Sequence, residues 1–291
     1  MTITGKRAKR RKLTSLSQGR PPTVRQPATS LSSRATRTII RSHHTLQKQL
    51  TRATRDGDTE KAEALQESLN VGGGLKKYQD ASMTGQSNAR GGDSSKVLME
   101  WLKPVQNASK AANDGEKLHL LEVGALSCHN ACSRSKLFDI VRIDLHSQDG
   151  GILQQDFMER PLPESDHERF DVISLSLVVN FVPEAAARGE MLRRTVQFLR
   201  DAPQSAGEGQ PFPALFLVLP LSCISNARYM DDTRLMTIME SLGYARTQRK
   251  LSTKLAYYLW SYNPSTARKQ TFRKTEVNPG RTRNNFAIII T

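Results

Sequence analysis

The clearest chemical signal in this sequence is an apolar run that ends in an acidic residue and a glycine. Residues 118–124 read LHLLEVG, and Asp144 closes the next apolar run 20 residues after Gly124. A glycine directly after a strand lets the backbone approach a nucleotide, and an acidic residue at this spacing reaches a ribose hydroxyl. The pair therefore predicts a site for a cofactor that contains a nucleoside.

The residues after Gly124 indicate which nucleoside this is. Leu126 and Cys128 stand two and four residues later, where a dinucleotide-binding loop would carry further glycines. A pyrophosphate needs closely approaching backbone N–H groups, whereas S-adenosylmethionine has a ribose and an adenine but no phosphate. The loop therefore favours S-adenosylmethionine over NAD. The alternatives are that Gly124 only forms a tight turn and that Asp144 is a solvated carboxylate or a helix cap.

These residues require a sheet to position them. From residue 118 onward, short apolar runs rich in β-branched residues alternate with helical segments, as in a parallel α/β sheet. Ligands bind such sheets at the carboxyl ends of the strands. The pattern leaves 244–251 unassigned. The predicted strands are 118–123, 138–145, 151–157, 170–179, 214–220, 254–262 and 284–290, with helices at 184–200 and 226–242.

The chain before this sheet divides into two parts. Residues 1–37 are rich in Ser, Thr, Pro and basic residues, which predicts a disordered tail. Residues 38–104 are predicted to form a helical region, and 105–291 the main domain. Within the helical region, the predicted helices are 38–53, 59–69 with Asp58 as its cap, 75–83, and one that begins at Asp93 and ends at Pro104.

Charge indicates the class of partner. The net charge of +15 comes from 14 basic residues without an acidic one in 1–55, and ten basic residues against Glu276 alone in 246–291. Two basic arms on an acidic body favour a polyanion such as nucleic acid. Six of the seven residues from Lys6 to Lys12 are basic, which is typical of a nuclear import signal but also suits direct RNA binding.

Other classes of site are disfavoured. No apolar run reaches the roughly 18 residues that cross a bilayer, so we expect no membrane partner. Cys128, His129 and Cys132 lie close together, but no second pair of ligands has matching spacing, so we expect no metal.

Several longer segments resemble one protein family. LLEVGALSCHNACS (120–133), FDIVRIDLHSQDGGILQQDFMERPLP (138–163) and ERFDVISLSLVVNFVPE (168–184) are similar to the fungal nucleolar methyltransferases that modify N1 of an adenine in 25S rRNA. The segments GGGLKKYQDASMTGQ, GGDSSKVLMEWL, KLAYYLWSYN and EVNPGRTRNNFAIII resemble the same family. The resemblance covers residues 72–199 and the C-terminal portion.

The resemblance implies a class I (Rossmann-like), seven-stranded methyltransferase sheet that uses S-adenosylmethionine. It places Gly124 and Asp144 at the cofactor. By similarity to class I methyltransferases in general, Glu122 would anchor the methionine amino group and Asp156 would accept from the adenine N6 of the cofactor. Phe157 would lie against that adenine ring. The alternatives are that Asp156 is a solvated loop carboxylate or a helix cap and that Phe157 belongs to the core.

The loop NFVP, residues 180–183, is our predicted base pocket. Its sequence is partly similar to the Asn/Asp-Pro-Pro-aromatic loop of amino-methylating enzymes but does not match that pattern. Phe181 would stack on the target base, and the Asn180 carbonyl would accept from its amino group. The alternative is that Asn180 caps the next helix and Phe181 fills the core.

We therefore expect a nuclear, nucleolar enzyme that methylates N1 of an adenine in large-subunit rRNA, either as RNA or within a pre-ribosomal particle. The animal relatives resemble S-adenosylmethionine sensors upstream of the TOR kinase complex, so a cofactor-sensing protein without methyl transfer is the alternative. A methyltransferase for a basic or ribosomal protein is a third hypothesis, which the basic arms disfavour.

Overall fold

Seven strands form a single mixed sheet in the computed structural model, which describes residues 33–71, 74, 80, 92–112, 117–147, 149–201 and 211–291. The Lys6–Lys12 cluster lies outside the described residues, as does the helix predicted at 75–83 apart from Asp80. The strands are β1 Leu118–Val123, β2 Phe138–Asp144, β3 Leu153–Gln154, β4 Val172–Ser176, β5 Ala214–Pro220, β6 Tyr244–Leu251 and β7 Leu255–Tyr262.

The order of the strands confirms the predicted fold class. The sheet runs β3-β2-β1-β4-β5-β7-β6, with β1 to β5 parallel and β7 antiparallel to both neighbours. The carboxyl ends of the five parallel strands therefore meet at one edge. This is the seven-stranded methyltransferase sheet that the resemblance implied.

Alternating side chains bury both faces of this sheet. Leu120 and Leu121, neighbours on β1, belong to separate core clusters because successive side chains of a strand point to opposite faces. On β5, the side chains from Ala214 to Leu219 are fully buried. Burying each of its larger apolar side chains contributes about 1.5–3 kcal/mol, so the centre of the sheet holds the strand ends firmly.

The described helices are seven: α1 Ser33–Arg55, α2 Thr59–Asn70, α3 Ser95–Trp101, α4 Lys103–Ala112, α5 Ala185–Phe198, α6 Ser222–Ser225 and α7 Asp232–Ser241. The predicted cap of α2 is confirmed, since the Asp58 side chain accepts from the Lys61 N–H. Helix α1 begins five residues earlier than predicted, inside the stretch assigned to the tail.

Two predicted helix limits are wrong. Pro104 does not end a helix: α3 stops at Trp101, and Pro104 lies in the first turn of α4, where its missing N–H has no intrahelical acceptor to lose. Helix α4 therefore crosses the predicted domain boundary at residue 104. The helix predicted at 226–242 is shorter because Asp231 caps α7 by accepting from the Arg234 N–H.

The C-terminal apolar run is not a strand of the sheet, contrary to the prediction for 284–290. Most of its apolar residues are buried, but among the described residues it pairs only through isolated bridges, and it packs on α5 instead. The fit is close, since a Cβ on Gly189 of α5 would lie 1.8 Å from the Ile289 carbonyl oxygen. The seventh strand is β6, which is a mostly exposed edge strand. Its charged residues obscure the alternation of apolar residues that would predict a strand.

Asp232, at the start of α7, stabilises the edge strand β6 through hydrogen bonds. Its carboxylate accepts from Tyr258 Oη at 2.7 Å, Arg246 Nη1 at 2.9 Å and Arg249 Nε at 3.1 Å. Burial alone would raise the pKa of Asp232, but the Tyr258 hydrogen bond and the two guanidinium groups lower it overall.

Replacing Asp232 with asparagine should therefore lower the free energy of unfolding by about 1–2 kcal/mol, because charged hydrogen bonds are lost at a partly screened site. The lowered pKa means that this contribution is present at neutral pH and is lost as the pH falls through that pKa, below 3.8. Urea denaturation at several pH values measures both effects. Glu240→Gln on the same helix is the control, and an equal loss there would contradict the prediction.

Candidate active site

Gly124 turns the chain at the end of β1. Its φ of +74° is a conformation that favours glycine, and a Cβ there would lie 2.6 Å from Val178 Cγ2. Its N–H donates to the Ile143 carbonyl at 2.8 Å. The protein itself therefore requires glycine here, and the turn brings the loops after β1 and β4 together.

Glu122, two residues earlier, has an incompletely bonded carboxylate. Its Oε1 accepts from Asn130 Nδ2 at 2.7 Å, whereas Oε2 is shielded from solvent and has no hydrogen-bond partner among the described residues. The closest cation is Arg142 Nε, 3.9 Å away. Burial raises the pKa of Glu122. An unsatisfied buried carboxylate oxygen suits a ligand that brings its own N–H donors.

Asp144 ends β2 at the same edge. Its Oδ1 accepts from the His146 N–H at 2.8 Å, and partial burial raises its pKa. Leu145, which follows Asp144 in the chain, is 55% exposed, and Leu153, which pairs with the preceding residue Ile143, is 58% exposed. At such a place the carboxylate can bind a ribose, and the exposed apolar side chains can cover one face of a base. The sequence analysis missed the two leucines.

Asp156 and Phe157 follow β3, but the Phe157 ring lies in the core. It is 2% exposed and packs against Phe198 at 5.4 Å between ring centroids, with the Arg194 guanidinium 6.0 Å from its centroid. Contact between this ring and a bound adenine would require the core to open. Asp156 Oδ1 accepts from the Met158 N–H at 2.7 Å.

Asn180 and Phe181 follow β4 in a turn with unusual backbone geometry. Leu177 has a φ of 60°, rare for a residue other than glycine. Asn180 Oδ1 is buried without a hydrogen-bond partner among the described residues, and the N-cap of α5 is Glu184, so Asn180 does not cap that helix. Phe181 is partly exposed. The loop thus holds a buried acceptor beside an accessible ring.

A buried arginine holds the far end of this loop. Arg188 donates to the carbonyls of Val182 at 2.8 Å, Pro183 at 3.0 Å and Ala287 at 2.7 Å. Its guanidinium also lies 4.7 Å from the Phe286 ring centroid. Arg188 therefore fixes residues 182–183 against the C-terminal run.

A second set of positioning contacts comes from the segment before α3. Asp93 accepts from the Ala131 N–H at 2.6 Å, and Ser95 Oγ accepts from the Cys132 N–H at 3.2 Å. Ser94 Oγ lies 2.8 Å from Ser176 Oγ at the end of β4. These contacts tie the loop after β1 to β4. The sequence of this segment predicted only the start of a helix capped by Asp93; the N-cap of α3 is Ser94, and Asp93 accepts from the Ser95 N–H.

The cysteines and the helices add no further site. The described residues contain no group of three His, Cys, Asp or Glu side chains placed to hold a metal ion. Burial raises the pKa of Cys132 to about 12. Across the described part of the chain, every helix is too short or too polar to cross a bilayer.

Comparison with known proteins agrees with this geometry. Residues 63–288 match the model of a family described as "25S rRNA (adenine(2142)-N(1))-methyltransferase, Bmt2". A 25S rRNA adenine-N(1) methyltransferase of Schizosaccharomyces pombe is 41% identical over 252 residues, which are 86% of this chain and 89% of the relative. The chain belongs to this family.

A second relative in the family is the 25S rRNA (adenine(2142)-N(1))-methyltransferase of Saccharomyces cerevisiae. It is 40% identical over 225 residues, or 76% of this chain, and this match spans 61% of the yeast protein. Among solved structures, a didemethyltoxoflavin N1-methyltransferase of Burkholderia thailandensis with S-adenosylhomocysteine is 11% identical, with a TM-score of 0.39. That match covers 64% of this chain and 87% of the other.

Proposed function

We propose that this protein transfers a methyl group from S-adenosylmethionine to N1 of an adenine in large-subunit rRNA. The observation that carries the proposal is a pair of buried acceptors, Glu122 Oε2 on β1 and Asn180 Oδ1 after the adjacent parallel strand β4, that have no hydrogen-bond partner among the described residues. One acceptor suits the ammonium of an amino acid, and the other suits the amino group of a base. Membership of the family supports this choice of reaction.

The residues present fit the cofactor. Glu122 Oε2 would accept from its ammonium, and Asp144 from its ribose hydroxyls. Leu145 would offer apolar surface to the adenine, with Asp156 as acceptor for N6. When bound, S-adenosylmethionine supplies a methyl group activated by the adjacent sulfonium.

Glu122 gives this cofactor site a pH dependence. Affinity for S-adenosylmethionine should fall as the pH drops towards 4.5, the ordinary glutamate value, and the fall should begin above it because burial raises the pKa of Glu122. Only the carboxylate pairs with an ammonium. Glu122→Gln should bind more weakly at neutral pH and show a smaller dependence, with only the part from Asp144 remaining, as measured by calorimetry with circular dichroism as the folding control. A pH profile of the variant that matches the original would contradict the assignment.

The target base needs orientation more than proton transfer. N1 of adenine carries its own lone pair at neutral pH, so no strong general base is required, and catalysis comes mainly from positioning. To reach the site, the base would leave its stack and enter the 180–183 loop. Asn180 Oδ1 accepts from the exocyclic amino group, a bond that strengthens as the ring becomes cationic on N1-methylation. Phe181 provides a stacking face.

The basic arms support rRNA, free or within a pre-ribosomal particle, as the partner. Neutralising phosphates with Lys and Arg supplies affinity that does not depend on sequence. The Lys6–Lys12 cluster supports a nuclear, nucleolar location as part of the proposal.

Mass spectrometry of rRNA nucleosides from cells with and without the gene tests the function. Loss of one 1-methyladenosine, restored by the original gene and not by the Asn180→Ala gene, is the expected result. An unchanged 1-methyladenosine content would reject the enzyme, and intact cofactor binding in that case would favour the sensing protein instead.

A further inference from the structure

A cluster of cations around Tyr229 is unexplained by the fold or by the cofactor site. Lys274 Nζ lies 4.4 Å from the Tyr229 ring centroid, and the Arg228 guanidinium lies 6.0 Å from it. Arg228 Nη2 donates to the Gly280 carbonyl and Arg283 Nε to the Pro279 carbonyl, each at 2.9 Å. Arg228, Tyr229, Lys274 and Arg283 are named here the Tyr229 cluster.

The cations of the cluster are not paired with carboxylates in the part of the chain that the structure describes, although Glu276 lies on the same segment as Lys274. Within the described residues, none of its three cations makes an ion pair with a carboxylate. The basic residues of β6 differ, since Arg246 and Arg249 pair with Asp232. Like charges held together without counter-charge favour the binding of an anion.

The cluster is joined to the predicted base pocket. The Arg228 N–H donates to the Asn284 carbonyl at 2.9 Å, so the cluster meets the C-terminal run there. Three residues later, the Ala287 carbonyl accepts from Arg188, which also holds residues 182–183. Three residues span at most about 11 Å, which limits the distance between Asn284, bonded to Arg228, and Ala287, bonded to Arg188.

We infer that the Tyr229 cluster binds the phosphates of the RNA strand beside the target adenine. The inference rests on the proposed function and adds the surface that receives the strand. Arg228 and Arg283 are partly buried and fixed by backbone carbonyls, so little freedom is lost on binding a phosphate. Lys274 is exposed and supplies a third charge.

The test compares two triple variants on unmodified large-subunit rRNA transcribed in vitro. One variant is Arg228→Gln, Lys274→Gln and Arg283→Gln. Its control, Lys103→Gln, Lys117→Gln and Lys136→Gln, removes the same charge from exposed residues, two of which precede the amino ends of β1 and β2.

For the cluster variant, the slope of log affinity against log salt should become shallower by about 2, because three single-strand phosphate contacts at about 0.7 each are lost. The ratio of the original protein's affinity to the variant's affinity should therefore be about 15 times larger at 50 mM salt than at 200 mM salt. Cofactor affinity should stay unchanged. The control variant should keep nearly the original slope.

Lys274→Gln alone is the control for a folding defect, because Lys274 is exposed and its contact is with the Tyr229 ring. Its slope should change by about 0.7. An unchanged slope, or an equal change in the control, would overturn the inference. A loss of binding to polyglutamate without a loss of binding to RNA would assign the surface to an acidic protein and also overturn it. Failure of the proposed function would be recognised separately, because the original protein would then form no 1-methyladenosine in the rRNA.

Discussion

Replacing Asp144 with alanine should weaken S-adenosylmethionine binding by about 10- to 100-fold. A hydrogen bond to a charged group contributes about 1.5–3 kcal/mol, and each 1.4 kcal/mol is tenfold in affinity. Asp144 ends β2 at the carboxyl edge, where its carboxylate has only the His146 N–H as a hydrogen-bond donor in the described structure. Its removal therefore takes away the expected ribose contact without emptying the core. Isothermal titration calorimetry measures the change.

The sheet provides a matched control for this experiment. Asp139 lies on the same strand, is exposed, and stands near the amino end, away from the predicted site. Asp139→Ala should leave the cofactor affinity within about twofold. Equal weakening by both substitutions would indicate a general charge or folding effect and would remove Asp144 from the site.

Replacing Asn180 with alanine should lower kcat for rRNA methylation about 100-fold while cofactor affinity stays within a few-fold. The expected loss reflects misplacement of the base by about 1 Å, because the buried acceptor for its amino group is gone. Since Oδ1 bonds to none of the described residues, removal costs the fold little. Single-turnover kinetics measure the chemical step separately from product release.

Asn180→Asp is the companion variant, because it keeps an acceptor oxygen at nearly the same place. It should retain more activity than Asn180→Ala or Asn180→Leu. If kcat and cofactor affinity fall together in Asn180→Ala, the residue supports the fold of the loop and is not part of a base pocket.

The central strands could be predicted from sequence because runs of consecutive apolar residues indicate that they are buried. The predictions for β1, β2, β5 and β7 differ from the structure by no more than one residue at either end. The strand wrongly predicted at 284–290 and the strand left unassigned at 244–251 have one physical origin, which is that composition reports burial and not pairing. The run 284–290 is buried without entering the sheet, whereas β6 pairs along its length while staying exposed.

The site was predictable only where a residue stands at the end of its own strand. Glu122, Gly124 and Asp144 lie at or next to the ends of β1 and β2, and Asn180 lies four residues after β4; the sheet brings these strands side by side. The contacts that position them join residues far apart in sequence: Asp93 to Ala131, Ser94 to Ser176, and Arg188 to Ala287. No local pattern encodes such partners. Phe157 is the opposite case, because it follows a strand end but its ring is buried in the core and not at the predicted site.

The link between Arg188 and Ala287 has a consequence for biogenesis. The two residues are 99 positions apart, and a chain is synthesised from its N-terminus at about 5–20 residues per second. While the nascent polypeptide lacks residues 284–290, Arg188 lacks one of its three carbonyl acceptors, and Gly189 lacks its neighbour Ile289. The loop that is expected to receive the adenine can therefore reach its final shape only after residues 284–290 have been synthesised.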